Sequence, residues 1–260
     1  MKTKKSLGQH FLKSEKALKS IVEAGKIEST DCILEIGPGT GALTGKLLQT
    51  GATVVAVEKD DELSLFLKEI YKKEIENGKF EIINEDILEF NLSNLEKGYK
   101  LIANIPYNIT GLIFKKFLES EFQPSLMVLL VQKEVAERIV ARNGKESILS
   151  VSVKAYGEPR FVEKVLAGSF SPVPKVDSAI IAIEDISKKF FDNFSEKDFF
   201  EMLHAGFKSK RKKLSSNLST LFKKEKILET FNTLGLDENI RAEDVSLENW
   251  KKISAALLNT

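Results

Sequence analysis

Residues 32–49 read CILEIGPGTGALTGKLLQ, and this stretch decides the fold. An apolar run ends in three closely spaced glycines, and residues 42–49 then carry apolar side chains at helical spacing. A buried strand, a glycine loop and a helix in this order are typical of an open α/β sheet, in which the ligand lies beyond the carboxyl ends of the strands. Glycine lets the backbone come close to a ligand and take positive φ.

Strand-like and helix-like segments alternate along the rest of the first 186 residues. Further strands are predicted at 53–59, 80–86, 99–106, 125–132, 160–167 and 178–185, with helices at 60–77, 113–120 and 133–142. This alternation predicts an α/β fold with a mostly parallel sheet covered on both faces. Only the proline-rich loop 169–177 joins the last two strands, so one of them is expected to be antiparallel.

The pattern changes after Asp185, where only helical periodicity remains. The helical segments are 199–207, 214–222, 227–235 and 247–258. We therefore predict two domains: an α/β domain with an N-terminal arm over residues 1–186, and a small all-helical domain over residues 187–260.

The composition excludes several classes of protein. With 42% hydrophobic and 30% charged residues, the 260-residue chain is ordinary for a globular protein. The single cysteine, Cys32, excludes an intramolecular disulfide, and the spacing of His10 and His204 predicts no metal site. Neither a signal peptide nor a run of 18 apolar residues is recognisable, so we expect a cytoplasmic protein without a membrane segment.

Positive charge is concentrated in two places although the net charge is only +1. The clusters comprise Lys2, Lys4, Lys5 and Lys13 near the start, and Lys208, Lys210, Arg211, Lys212, Lys213, Lys223, Lys224 and Lys226 near the end. Such clusters are expected of a surface that binds nucleic-acid phosphates. The alternative for either cluster alone is a solvated helix face.

Acidic residues at strand ends predict a nucleotide site. The spacing of Gly37, Gly39 and Ala42 fits a loose dinucleotide fingerprint and does not choose a cofactor. Glu58, at the end of the next strand, can accept from the ribose hydroxyls of either NAD or S-adenosylmethionine. Asp86, at the end of the third strand, can accept from an adenine amino group. Each acid alone is equally well explained as a helix N-cap or a loop end.

The tetrapeptide Asn104-Ile105-Pro106-Tyr107 follows another apolar strand. Its amide oxygen, a backbone carbonyl and an aromatic ring suit a planar ring that bears an amino group, and stacking on such a ring contributes about 1–3 kcal/mol per base. An isolated tetrapeptide of this kind is more often only a turn. Together with Glu58 and Asp86, however, Asn104 is a third polar acceptor at the end of a successive predicted strand.

Several segments of the chain resemble those of a known family. The segments EIGPGTGALT (35–44), VEKD (57–60), NEDIL (84–88) and ANIPYNI (103–109) resemble the S-adenosylmethionine-dependent rRNA adenine N6-dimethyltransferases. The segments SLGQHFL (6–12), FSPVPKVDSAII (170–181), GFKSKRKKLSSNL (206–218) and RAEDVSLENW (241–250) extend the resemblance over nearly the whole chain. KVDSA and RAEDVS look more like the KsgA type (also called RsmA), which modifies two adjacent adenines near the 3′ end of small-subunit rRNA, than the Erm type, which acts on large-subunit rRNA.

The resemblance implies a Rossmann-like class I methyltransferase sheet that binds S-adenosyl-L-methionine and releases S-adenosyl-L-homocysteine. It also implies a monomer that acts on a 30S-type ribosomal precursor particle. The residues expected at the cofactor are His10, Leu12, Glu35, Gly37, Gly39, Gly41, Glu58, Asp86, Leu88 and Asn104. The residues expected at the target adenine are Asn104, Pro106, Tyr107 and Phe170, where Phe170 would be a second stacking face or, alternatively, part of the core. The residues expected to bind RNA are Lys4, Lys5, Lys208, Lys210, Arg211, Lys212 and Lys213.

Three other interpretations compete with this one. An Erm-type methylase would act on the large-subunit RNA. A nicotinamide-dependent dehydrogenase explains Gly37–Ala42 and Glu58 but gives no role to residues 104–107 or to the basic clusters. A non-enzymatic RNA-binding assembly factor would keep the fold without the reaction. One departure from the family is Glu146-Ser147, where many members carry Tyr-Gly, in a loop expected at the rim of the site.

Overall fold

A computed structural model describes residues 9–258 of the chain. Lys4 and Lys5 of the predicted RNA-binding set lie outside the described residues. No helix among residues 9–258 has the length and apolar character needed to span a lipid bilayer.

The central feature is a sheet of seven strands: β2 (Cys32–Ile36), β3 (Thr53–Glu58), β4 (Phe80–Asn84), β5 (Lys100–Asn104), β6 (Leu126–Gln132), β7 (Glu158–Val165) and β9 (Ser178–Glu184). Their order across the sheet is β4-β3-β2-β5-β6-β9-β7. Strands β2 to β6 pair in parallel, whereas β9 pairs antiparallel with both β6 and β7. The prediction of a mostly parallel sheet with one antiparallel strand is confirmed, and β9 is that strand.

Helices cover both faces of this sheet. They are α1 (Glu15–Ala24), α2 (Ala42–Leu48), α3 (Asp61–Ile70), α4 (Lys72–Glu76) and α5 (Thr110–Leu118); a further helix, α6 (Lys133–Ile139), directly follows β6. Neighbouring strand residues such as Leu101 and Ile102 are both fully buried although their side chains point to opposite faces. Burial on both faces explains why these strands are continuous apolar runs and do not alternate with polar residues.

Several predicted helices end earlier than their apolar patterns, and two of them end for an identifiable reason. The helix predicted over 60–77 is interrupted at Tyr71 (φ −108°, ψ 25°), whose hydroxyl donates to the carbonyl of Gly41 at 2.8 Å. The segment 214–222 is helical only over α9 (Leu214–Leu218). Hydroxyl groups of Ser219 and Thr220 bond to backbone carbonyls there, which competes with continuation of the helix.

A small second sheet was not predicted. Strands β1 (Phe11–Leu12) and β8 (Phe170–Ser171) pair antiparallel, with Leu12 opposite Phe170. The amide of Lys13 also donates to the carbonyl of Ser169 at 2.8 Å. The pairing ties residues 11–13 to the proline-rich loop that precedes β9.

The described chain forms two compact units that interleave along the sequence. The sheet unit comprises residues up to Ala136 together with Glu158–Ile186, and the helical unit comprises Glu137–Gly157 together with the residues from Ser187 onward. The helical unit contains α7 (Ile148–Lys154), α8 (Glu196–Gly206), α9, α10 (Lys224–Thr233) and α11 (Leu247–Leu258). Residues 137–157 thus group with the later helices, and a functional boundary at 186/187 stays a prediction.

Candidate active site

A cavity of about 290 Å³ opens at the carboxyl ends of the neighbouring strands β2, β3, β4 and β5. It brings together most of the side chains predicted from sequence, although they are distant along the chain. The predicted residues that line it are His10, Leu12, Glu35, Gly37, Gly39, Glu58, Asp86, Leu88, Asn104, Pro106 and Tyr107. The arrangement follows from the fold, because parallel strands bring their carboxyl ends to one edge of the sheet.

The glycine loop needs its glycines for two different reasons. Gly37, Gly39 and Gly41 all have positive φ, at 60°, 59° and 82°. A Cβ atom on Gly39 would lie 2.8 Å from the ring of Phe11. At Gly41 it would meet the side chains of Leu67 and Tyr71 at 2.9 Å. Gly41 does not line the cavity, so its place in the turn and against α3 accounts for it, and a cofactor contact stays a prediction.

Glu58 at the end of β3 organises the loop that faces it. One carboxylate oxygen accepts from the amide of Gly39 at 3.1 Å and the other from the amide of Asp60 at 2.9 Å. The side chain is nearly buried, and desolvation raises its pKa despite these two donors. Each oxygen has a further lone pair, so the carboxylate can still accept from the hydroxyls of a ribose.

Glu35 at the end of β2 is the most deeply buried acid of the cavity. The hydroxyl of Thr44 donates to Oε2 of Glu35 at 2.7 Å. Burial raises the pKa of Glu35 to about 8, and the nearby Glu58 carboxylate adds to the shift. The first turn of α2 is therefore bonded to a carboxyl group that is largely protonated at neutral pH.

Asp86 lies two residues beyond the end of β4 and lines the cavity. Its Oδ1 accepts from the amide of Leu88 at 2.9 Å, and its Oδ2 pairs with Nζ of Lys59 at 2.7 Å. These two donors hold the pKa of Asp86 below its usual value. Asp86 is therefore a charged acceptor at neutral pH.

Asn104 ends β5, and one end of its amide group is already engaged. Its nitrogen Nδ2 donates to the backbone carbonyl of His10 at 3.1 Å. This bond leaves the amide oxygen Oδ1 as the acceptor that a bound molecule can use. Pro106, two residues later, accepts a long 3.3 Å bond from the amide of Ile109, so its carbonyl also keeps a lone pair.

Tyr107 is fixed from two directions. Its hydroxyl and that of Ser178 lie 2.6 Å apart, and Ser178 is fully buried at the start of β9. Its ring is stacked with that of His10, with a centroid distance of 5.9 Å and an interplanar angle of 22°. His10 is itself held through Nδ1, which lies 2.8 Å from the carbonyl of Pro172.

Phe170 is nearly buried and lies outside the lining of the cavity. Only 3% of Phe170 is exposed, and it packs in the hydrophobic core beside Leu12 and Val165. It does not line the cavity, because the pairing of β8 with β1 turns its side chain inward. These contacts are those of core packing, and stacking of Phe170 on a target base stays a prediction.

Of the basic cluster near the C-terminus, residues 208–213 form a loop, whereas Lys224 and Lys226 lie on α10. Residues 208–213 connect α8 and α9, and all five of their basic side chains are exposed. The nearly buried side chain of Asn217 donates to the carbonyls of Gly206 at 2.6 Å and Ser209 at 3.1 Å. The loop is therefore anchored at its beginning by a side chain of α9.

Glu146 and Ser147, the departure from the family pattern, have local structural roles within the helical unit. Ser147 caps the start of α7 reciprocally with Ser150. Glu146 pairs with Lys154 at 2.6 Å. Their expected place at the rim of the site stays a prediction.

Several residues at or next to the cavity were not predicted from sequence, among them Gln9, Phe11, Lys59 and Ser178. Gln9 donates to Asp60, which itself caps α3, and Phe11 packs against Gly39. All four lie within segments that carry the family resemblance. The sequence motifs therefore contained these residues, but only the fold shows which of them lie at the cavity.

Comparison with known proteins decides the family. The profile of the ribosomal RNA adenine dimethylases matches residues 1–258. The chain belongs to this family. Members of the ribosomal RNA adenine dimethylase family methylate adenine in ribosomal RNA with S-adenosylmethionine as the methyl donor.

Individual relatives agree with the family assignment. The chain is 42% identical over 258 residues to "Ribosomal RNA small subunit methyltransferase A" of Dehalococcoides mccartyi strain CBDB1, covering 97% of this chain and 88% of that protein. The protein of the same name from Fusobacterium nucleatum is 39% identical, with coverage of 96% and 95%.

Solved structures of the ribosomal RNA adenine dimethylase family share the fold. A dimethyladenosine transferase from Plasmodium falciparum has a TM-score of 0.80 at 28% identity, covering 94% of this chain and 96% of that one. The 23S rRNA methyltransferase ErmE has a TM-score of 0.76 at 25% identity, covering 95% and 99%.

The cavity fits the methyl donor of the family in its chemistry. S-adenosylmethionine offers a ribose diol and an adenine amino group as hydrogen-bond donors. Glu58 and Asp86 supply acceptors for such donors on neighbouring strand ends. Gly37 and Gly39, both with positive φ, also line the cavity and carry no side chain that would keep a ligand away from the loop backbone. The cavity is near the lower end of the volumes usual for small-molecule sites.

Proposed function

We propose that this protein transfers methyl groups from S-adenosylmethionine to the N6 amino groups of two adjacent adenines near the 3′ end of small-subunit rRNA. The observation that carries the proposal is one cavity in which Asn104 and Tyr107 face the strand ends that bear Glu58 and Asp86. The curated relatives named small subunit methyltransferase A support the choice of RNA.

The cofactor would be held by the side of the cavity formed by β2, β3 and β4. Glu58 would accept from the ribose, Asp86 from the adenine amino group, and Gly37 would lie against the methionine part. His10, Leu12, Glu35, Gly39 and Leu88 would complete this side, all of them lining the cavity. When bound, S-adenosylmethionine supplies a methyl group that is already activated by its sulfonium.

The acceptor side would orient the amino group of the target. An adenine amino nitrogen is a poor nucleophile because its lone pair is delocalised into the ring. Oδ1 of Asn104 and the carbonyl of Pro106 would accept its two hydrogens and aim the lone pair toward the methyl donor. Such orientation contributes up to roughly 7–11 kcal/mol in well-placed reactions. No strong base is required, since the proton can leave after transfer.

Access of the base requires that it leave its stack or lie in a single-stranded loop. Tyr107 would stack on it, with the ring held by Ser178. His10 is stacked with Tyr107 in this structure, so we expect its ring to shift when a base binds. The pocket must also accept a monomethylated nitrogen, because two methyl groups are added.

The RNA itself would be gripped by the exposed basic loop 208–213, with the lysines of the N-terminal arm. We infer that the substrate is a 30S-type precursor particle and that the protein acts as a monomer in the cytoplasm, where such particles are assembled. The support is the likeness to small-subunit enzymes together with five exposed cations in six residues.

Incubation of the protein with methyl-labelled S-adenosylmethionine and ribosomal subunits that lack the modification tests the proposal. We expect label in the small-subunit RNA and none in the large-subunit RNA. Label confined to the large subunit would instead support an Erm-type activity, which is a real competitor because ErmE shares the fold.

A further inference from the structure

Lys116 is a half-buried lysine that no step above uses. It lies on α5, which begins three residues after Tyr107. Its ammonium group donates to the backbone carbonyls of Leu88 at 3.0 Å and Phe90 at 2.7 Å. The lysine therefore joins the helix that follows the acceptor motif to the loop that follows β4.

The loop that Lys116 holds is a single helical turn over residues 86–90. The amides of Glu89 and Phe90 both donate to the carbonyl of Asp86, at 2.9 and 3.0 Å. The side chain of Asp86 caps the start of the turn through the amide of Leu88. The last carbonyls of a helical turn lack intrahelical donors, and a basic side chain can supply them. Asp86 thus closes one end of the turn and Lys116 closes the other.

Asp86 and Leu88 of this turn line the cavity, whereas Lys116 does not. An isolated turn of five residues has no stability of its own, since one turn fixes several dihedral angles for very few hydrogen bonds. Its shape must come from bonds to the rest of the protein. Lys116 supplies two such bonds, both from a charged donor, which is the stronger class of hydrogen bond.

We propose that Lys116 is a positioning residue for the cofactor: it fixes the turn 86–90 so that Asp86 and Leu88 stay in place for the adenine of S-adenosylmethionine. The inference rests on the proposed function, in which the adenine lies at this turn. Because α5 also continues from residues 104–109, Lys116 holds the cofactor side and the acceptor side in one frame.

The test compares Lys116→Met, which keeps the length of the side chain without its donors, with Lys116→Arg, which restores them. Lys115→Met is the matched control, because Lys115 is the exposed neighbour on the same helix. Binding of S-adenosylmethionine and of free adenosine is measured by calorimetry on the folded proteins. We expect Lys116→Met to bind both ligands about tenfold more weakly, Lys116→Arg to recover much of the loss, and Lys115→Met to bind like the parent protein.

A double-mutant cycle with Asp86→Asn separates positioning from general stability. If Lys116 acts through the turn, Lys116→Met adds much less than its own tenfold effect once Asp86 has been replaced. Amide exchange at residues 88–90 of the free protein should also speed up in Lys116→Met and not in Lys115→Met.

Two different failures can be told apart. If Lys116→Met binds both ligands like Lys115→Met while Asp86→Asn weakens binding, the role of Lys116 is overturned and the cofactor site stands. If neither Asp86→Asn nor Glu58→Ala weakens binding, the proposed cofactor site is overturned, and the role of Lys116 with it.

Discussion

Asn104 shows how single side chains divide the work of the cavity. Its amide nitrogen is bonded to the carbonyl of His10, so its oxygen is the free end. Glu58 and Asp86, in contrast, are carboxylates held in place by amides or by Lys59. The neutral amide of Asn104 is suited to align an amino group that must react, whereas the carboxylates are suited to bind cofactor groups that only donate hydrogen bonds.

Replacement of Asn104 by alanine tests the acceptor side. We expect Asn104→Ala to bind S-adenosylmethionine nearly as well as the parent protein and to lose most methyl transfer, because the amino group is no longer aligned. Single-turnover rates on unmodified small subunits, with cofactor affinity measured in parallel, check this. A near-normal rate would show that the amide does not align the target.

Replacement of Glu58 or Asp86 tests the cofactor side. A hydrogen bond to a charged group contributes about 1.5–3 kcal/mol, so Glu58→Ala and Asp86→Ala should each weaken S-adenosylmethionine binding by tenfold or more. Glu89→Ala is the control, since Glu89 is exposed on the turn that Asp86 begins. Equal calorimetric affinity in all three folded variants would contradict the assignment.

Glu35 gives the protein a pH dependence that can be measured without cofactor. Its pKa is about 8 in the folded protein against an ordinary value of 4.5, so between these values the folded state holds a proton that the unfolded chain has released. The associated stability is present below pH 4.5 and is lost as the pH rises toward 8. The free energy of unfolding of Glu35→Gln, relative to the parent protein, should therefore increase from pH 5 to pH 8. Urea titrations at both pH values check this, and an equal difference at both would contradict the shift.

At the scale of elements, the strands were easier to predict than the helices. The segments around Leu101 and Leu129 are apolar throughout because both faces of the sheet are covered. Their length identifies them as strands. The break at Tyr71 could not be predicted from periodicity. It depends on a hydroxyl that reaches a glycine loop thirty residues earlier in the chain.

The candidate site followed from sequence where a strand end fixed a residue's position. Glu58, Asp86 and Asn104 each follow a recognisable strand, so their meeting could be predicted. Phe170 could not be placed in the same way, since its burial depends on the pairing of β8 with β1, two strands of only two residues each. The role of Lys116 was not predicted because a lysine in a helical pattern ordinarily indicates a solvent-exposed position.

The basic loop is the element whose charge is most easily tested. Replacing Lys210, Arg211, Lys212 and Lys213 by glutamine should weaken RNA binding and flatten its salt dependence, which has a slope of about −0.7 per phosphate contacted on single strands. Binding of S-adenosylmethionine should hardly change.

A charge-matched control removes four exposed lysines of the sheet unit, namely Lys68, Lys72, Lys73 and Lys97. Filter binding at several salt concentrations compares the two quadruple variants. If both lose affinity equally, the loop contributes only general charge and has no specific role in RNA binding.

For the whole molecule, the family assignment establishes the class of reaction, and the residues that line the cavity suit it. The match covers residues 1–258 and includes both the sheet unit and the helical unit. A dehydrogenase is excluded by this match, and the choice among ribosomal RNAs depends on the relatives and on the RNA-binding residues.

The most direct test is to map the methyl groups. Small subunits without the modification are incubated with the protein and S-adenosylmethionine, and the RNA is digested and analysed by mass spectrometry. The account predicts two adjacent adenines near the 3′ end, each carrying two methyl groups on N6, and neither with Asn104→Ala. Methylation at another nucleotide, at another atom of the base, or only in the large-subunit RNA would contradict it.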